Sequence, residues 1–218
     1  MEGRGDELQN MPRREPRRRR ERYSVFLNVP YDSAFENLYL AYIAGLSAFG
    51  LIPRATLEIP TSQRRLERIL RLIEECGYSI HDLSRVQLDG RAPRVPRFNM
   101  PFELGLAVSQ NAFNRRQRWY VCEAVQYRVN KSLSDLDGTD VRIHGGTIRG
   151  VFAALADVFV RKNRQPSAQK MYQIYLVLRR NLPRIMRQAG ARHPYGARVF
   201  QDLIFAARTE QLRLLRNG

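Results

Sequence analysis

Two carboxylates, Asp82 and Glu103, occupy positions where an acid could do chemistry. Asp82 ends a short run, Tyr78, Ser79, Ile80 and His81, that reads as a strand. Glu103 lies in PFELGLA, from Pro101 to Ala107, where the pattern opens a helix. Pro101 suits a first turn because amides there have no intrahelical partner, and Asn99 is placed to cap them. Glu103 is therefore expected in or beside the first turn, where the helix dipole favours its ionised form. An ionised carboxylate aimed at a pocket is what a nucleophile, or the stabiliser of a sugar cation, requires. It is also what any helix favours in its first turn, so position alone leaves both roles open.

The elements that must place these groups alternate. SVFLNVP (Ser24 to Pro30) reads as a buried strand. Asp32 or Ser33 can cap the helix that follows, whose apolar face is Phe35, Leu38, Tyr39, Tyr42, Ile43, Leu46 and Phe49. Leu51 to Glu58 is a weaker strand interrupted by Pro53. Ser62 then caps a helix with Leu66, Ile69, Leu70, Ile73 and Cys76 inward. The Tyr78 strand and the Glu103 helix come next, then a strand over Arg118 to Ala124 and a helix over about Thr147 to Lys162. After Pro166, two helical stretches, Ala168 to Gln188 and Ala197 to Arg216, flank the turn-rich AGARHPYG. Such alternation predicts an α/β fold: a flavodoxin-like, doubly wound parallel sheet of four to five strands with a C-terminal helical extension. The expected divisions are a disordered basic tail (1–22), the α/β domain (23–163) and a basic helical hairpin (164–218).

In open parallel sheets, ligands bind beyond the carboxyl ends of the strands, at the switch point. Asn28, Tyr31 and Asp32 leave the first strand there, and Asp82, Ser84 and Arg85 leave the third. One crevice is thus expected to join Asp82 and Glu103, with Tyr31 as a wall and Asn28 and Ser84 as hydrogen-bonding groups. The loop before Asn99 carries Arg85, Arg91, Arg94 and Arg97, and arginine forks suit phosphate. Arg85 and Arg97 adjoin the two carboxylate motifs and are the candidate phosphate ligands; Asn99 completes the ligand-binding set. No glycine-rich phosphate loop follows the first strand, which argues against a Walker-type site. SDLDGTD lacks the bidentate glutamate of a calcium loop and reads as a capping or lid segment. His81 points away from Asp82 by strand alternation and reads as structural; His144 reads as a satisfied loop histidine. No metal or cofactor is expected.

The net charge of +16 is concentrated at the ends: residues 1–22 contribute +3 and residues 161–218 contribute +11. Basic ends on a near-neutral middle point to nucleic acid or an acidic protein partner, with Arg179, Arg180, Arg184 and Arg187 as contacts. An arginine-rich solvated surface would give the same composition. No apolar run approaches the roughly 20 residues that cross a bilayer, and no secretory h-region opens the chain. Cys76 and Cys122 match no metal spacing and read as buried thiols. A reducing cytoplasm is the expected compartment.

A hydrophobic first strand, a strand ending in Asp82 and a helix opening with FELG resemble the nucleoside 2-deoxyribosyltransferase-like superfamily over Ser24 to Lys162, and FLNVPYD, IHDLSR and RFNMPFELGL together resemble one bacterial branch of it. That superfamily is distantly related to bacterial TIR-like domains and to N-glycosidase effectors of phage defence. The resemblance implies a nucleotide, nucleoside or NAD-like substrate, with Glu103 as the nucleophile at the anomeric carbon and Asp82 assisting. Met100 and Pro101 stand where the transferases carry small, glycine-bearing residues, which puts the pocket's shape, and catalysis itself, in question. A nucleotide-sensing module without catalysis is the other function these residues allow. The resemblance also implies a homo-oligomer, and Tyr39 and Tyr42 are available either as core or as a subunit contact.

Overall fold

The computed structural model describes residues 22–58, 64–86, 96–113, 117–161 and 165–216. Among the described residues, five strands run parallel in the order β2-β1-β3-β4-β5: β1 (Ser24–Asn28), β2 (Ile52–Arg54), β3 (Tyr78–Asp82), β4 (Arg118–Glu123) and β5 (Arg142–Ile143). This is the flavodoxin-like order, whose switch point lies between β1 and β3. Pro53 sits in β2 at the sheet edge, where a missing N–H breaks no second ladder. Two-residue β5 emerges from the polar segment before His144, where no strand was expected.

Among the described residues, the helices flanking the sheet or packing on one another are α1 (Glu36–Ala48), α2 (Arg65–Glu74), α3 (Asn99–Phe113), α4 (Arg128–Ser132), α5 (Ile148–Val158), α6 (Ala168–Gln188) and α7 (Ala197–Arg216). Strand alternation divides the core. Val25, Leu27 and Ile80 face α1, whereas Phe26 meets Ile69, Ile73 and Ala107 of α2 and α3 on the other side. In α2 the buried face turns slightly from the expected one: Leu66 is exposed and Leu72 is buried. Ser62, the expected cap, lies outside the described residues, as do Arg91, Arg94 and all of the 1–22 tail except Arg22.

α1 is buried without a break from Leu38 to Ser47, because α5, α6 and α7 close over the side that the sheet leaves open. At Gly45 a Cβ would overlap the end of the Leu155 side chain and touch Phe152, so glycine lets α5 approach without displacing Leu155. The Tyr175 hydroxyl donates to Asn37 Oδ1 at 2.9 Å, tying α6 to the first turn of α1. Tyr39 and Tyr42 are fully buried within the chain. Their expected availability to another subunit is therefore corrected: the aromatic bulk of α1 is matched by the hairpin. The hairpin, set apart in sequence, shares one continuous core with the sheet. Among the described residues, no helix is long and apolar enough to cross a membrane.

Candidate functional site

α3 starts at Asn99, two residues earlier than Pro101, because the Phe102 amide already bonds to the Phe98 carbonyl. Asn99 is thus inside the helix and exposed, not its cap. Glu103 falls in the second turn on the inward side and is only 7% exposed. Asn28 fixes this register: its amide donates to the Met100 carbonyl at 3.0 Å and to His81 Nδ1 at 2.9 Å. His81 Nε2 then meets Ser79 Oγ at 3.0 Å. Burial pushes the His81 pKa down to about 3, so this ring is a neutral strut between β3 and β1, and Asn28 carries the link on to α3.

The expected dipole-stabilised carboxylate is not what results. Burial raises the Glu103 pKa to about 7, against a weaker lowering by Arg65. The second-turn placement removes most of the dipole's help, which is confined to the helix end. Among the described residues no hydrogen bond reaches the Glu103 carboxyl, and its charge is felt by Tyr31, whose pKa rises chiefly through burial. Tyr31 in turn approaches Thr56 Oγ1 at 3.5 Å.

Tyr31 also walls a cleft of about 610 Å³ beyond the end of β1, with Asp32, Leu57, Arg85, Arg97, His193 and Tyr195. Its volume falls within the range of small-molecule sites. Arg97 Nη1 donates to Asp32 Oδ2 at 2.7 Å and Arg85 Nε to the same oxygen at 3.3 Å. Burial pushes the Asp32 carboxyl up, but the hydrogen bond from Arg97 and the two guanidinium charges outweigh it and hold the pKa low. Two cations against one anion leave the cleft positive. Asp32 also caps the turn at Ser33–Phe35, accepting from Phe35 N at 3.1 Å. The far wall comes from the hairpin connection: Tyr195 lies 5.5 Å from Tyr31 ring to ring, stacks with His193, and its hydroxyl donates to the Asp32 carbonyl.

Asp82 is elsewhere. Like Ile80 it projects towards α1, where it is fully buried. Tyr42 Oη donates to its Oδ2 at 2.7 Å, Ser84 N to its Oδ1 at 2.9 Å, and His144 Nε2 lies 3.0 Å from Oδ2. Glu103 rides on α3, across the sheet, so the single crevice expected for the two carboxylates is corrected to two separate sites. The Gly146 amide donates to His144 Nδ1 at 3.0 Å, so Nε2 carries the proton that Asp82 and Ser84 Oγ, at 2.9 Å, receive. A hydrolytic triad needs carboxylate and hydroxyl on opposite ring nitrogens, and here both meet Nε2. The cluster is a fastening of β3 to α1 and to the turn after β5. Asp82→Ala should lower stability by about 3 kcal/mol, since Tyr42 and His144 would lose their buried acceptor. Asp82→Asn should cost less; thermal melts of the two variants check the order.

Of the sequence-derived ligand set, Tyr31, Arg85 and Arg97 come together in the cleft. Asn28 and Ser84 are buried and spend their polar atoms on packing, and Asn99 faces solvent. Asp32, His193 and Tyr195 are not in the expected ligand set: Asp32 is placed at the strand edge but reads as a cap, directly before the helical turn Ser33–Phe35, and AGARHPYG concentrates a histidine and a tyrosine in one turn. Cys76 and Cys122 are buried, and burial pushes both thiols up to about 12, which leaves them unreactive. Among the described residues, no cluster of three or more His, Cys, Asp or Glu could hold a metal ion. Arg179, Arg180, Arg184 and Arg187 all stand exposed on α6.

The fold and cleft define a flavodoxin-like α/β protein with a positively charged, aromatic-walled recess at its carboxyl edge. Compared with family models, curated proteins and solved structures, the chain matches none.

Proposed function

We propose that the protein cleaves or transfers the N-glycosidic bond of a nucleotide, with Glu103 carrying the chemistry. The observation behind this is a buried carboxyl with a pKa raised to about 7, whose charge is felt by the tyrosine that walls a cleft holding two arginines. Near neutral pH both forms of Glu103 are populated. The protonated form can deliver its proton to the departing base as the C1′–N bond breaks and its electron pair leaves with the base. The ionised form can attack or stabilise the sugar cation that remains, before water or a second base takes its place. Arg85 and Arg97 would hold phosphate, and Tyr31 and Tyr195 would flank the base. The reaction as written uses no cofactor. Incubating the full chain with nucleotides, nucleosides and NAD and separating any released base tests it; intact substrates throughout would defeat it. The resemblance puts such chemistry in a cytoplasmic phage-defence setting.

A second reading is favoured by one observation: Glu103 does not itself line the cleft, and both arginines are already held by Asp32. On that reading the cleft senses a nucleotide without cleaving it, and saturable binding occurs with no base released.

The hairpin's exposed arginines support contact with nucleic acid. Replacing Arg179, Arg180, Arg184 and Arg187 together by glutamine should weaken RNA or DNA binding and flatten its log–log salt dependence. Each lost phosphate contact removes roughly 0.7 to 0.9 from the slope. Binding unmoved by the four changes would leave an acidic protein partner, or solvent, facing this surface.

A further inference from the structure

A second recess lies at the opposite edge of the sheet, where the strands begin. Its volume is about 230 Å³, and its wall carries Arg22 before β1, Arg118 at the start of β4 and Arg161 after α5. Among the described residues, no acidic one lines it. Among the described residues none of these three arginines enters an ion pair. The contrast with the carboxyl-edge cleft is direct, since there Asp32 holds both cations. Three guanidinium groups around one small recess repel one another, and no described acidic residue in its wall offsets that repulsion.

The floor is aromatic. Tyr78 and Tyr120 meet the Phe159 ring edge-on, at 5.2 and 5.9 Å, and Arg161 lies 6.0 Å from the Phe49 centroid. Tyr23, at the rim, is 37% exposed and lines the same recess. Arginine forks bind phosphate oxygens in pairs, and tyrosine faces accept a base of any sequence. The volume falls below the roughly 300 to 1,000 Å³ of sites that enclose a whole small molecule. It suits a phosphate with its sugar, leaving the base outside against Tyr23.

We propose that this recess binds the phosphate of a nucleotide, either free or at the end of a single strand. The site is distinct from the carboxyl-edge cleft and does not depend on Glu103. Calorimetric titration of the full chain with adenosine and uridine monophosphates, the two nucleosides, and a short single strand with and without a 5′-phosphate tests it. Monophosphates should bind saturably and nucleosides roughly tenfold more weakly or not at all, since charge-assisted bonds to phosphate supply the affinity. Arg118→Gln combined with Arg161→Gln should weaken monophosphate binding by a similar factor; both side chains are exposed, so folding is preserved. Because the other cleft is also read as a phosphate site, the titrations are repeated in Arg85→Gln/Arg97→Gln chains, where binding at this recess survives. Glu103→Gln leaves it unchanged, which separates this proposal from the fate of the glycosidase reading. Preference for the 5′-phosphorylated strand over the monophosphates identifies strand ends as the source, and equal affinity identifies the free nucleotide. Equal binding of nucleosides and monophosphates, or binding indifferent to the Arg118 and Arg161 changes, overturns the proposal.

Discussion

Glu103→Gln is expected to abolish base release while nucleotide affinity stays close to that of the parent chain. Loss of a reacting carboxyl costs on the order of 5 kcal/mol in the barrier, several powers of ten in rate. The same substitution should raise stability at neutral and higher pH, and the sign follows from linkage. Burial lifts the Glu103 pKa from the ordinary 4.5 to about 7. Between those values the folded chain keeps a proton that the unfolded chain has released. Stability associated with this group is therefore full below about pH 4.5 and is lost as the pH rises through about 7. Above that, keeping the charge buried costs on the order of 3 kcal/mol. Glutamine carries no such charge, so the variant should melt higher than the parent at about pH 8, with the gap closing towards pH 4. Base release by the parent should change steeply with pH around 7, where the carboxyl exchanges its roles. Unchanged turnover in the glutamine variant would sink the catalytic reading, whatever happens to the melting curves.

Much of the scaffold was legible because its signals are local. The α6 and α7 limits follow from three- and four-residue apolar spacing interrupted by one turn-rich segment. β1 reads from an unbroken apolar run, as expected of a strand covered on both faces. β5 could not be read, since its two residues sit in a polar stretch and are strand only because β4 offers a partner. The exchange of Leu66 for Leu72 inside α2 reflects a small rotation that sequence spacing alone does not fix.

The site was less legible, because it is made of long-range pairings. That Asp82 would be taken up by Tyr42 and His144 depends on where α1 and the turn after β5 arrive. Strand alternation did place Asp82 with Ile80 on one face. It did not say that α3 would deliver Glu103 to the other, and proximity along the sheet edge hid the separation. The dipole argument for Glu103 was sound for a first-turn acid, but a two-residue error in the helix start exchanged that effect for desolvation, which acts in the opposite direction.

Cutting the chain after residue 163 is expected to leave a segment without a cooperative unfolding transition. In isolation that segment contains every strand of the sheet, so by sequence alone it looks like a complete domain. Yet α1 is buried on the side facing the hairpin as fully as on the side facing the sheet. Ile174, Tyr175 and Leu178 of α6, with Val199, Phe200 and Leu203 of α7, supply that cover, each at most 1% exposed. At roughly 1.5 to 3 kcal/mol for each such side chain, the loss is roughly 9 to 18 kcal/mol, comparable with the whole stability of a domain. The cleft would lose its far wall as well, because His193 and Tyr195 leave with the hairpin. Phe200→Ala offers a graded version in the full chain and should cost about 3 to 5 kcal/mol. Circular dichroism and thermal melts decide the matter. A truncated chain that melts sharply near the parent's temperature would show that the hairpin is an accessory to a self-sufficient sheet; a broad transition, with the Phe200 variant shifted well down, is the result that the shared core requires.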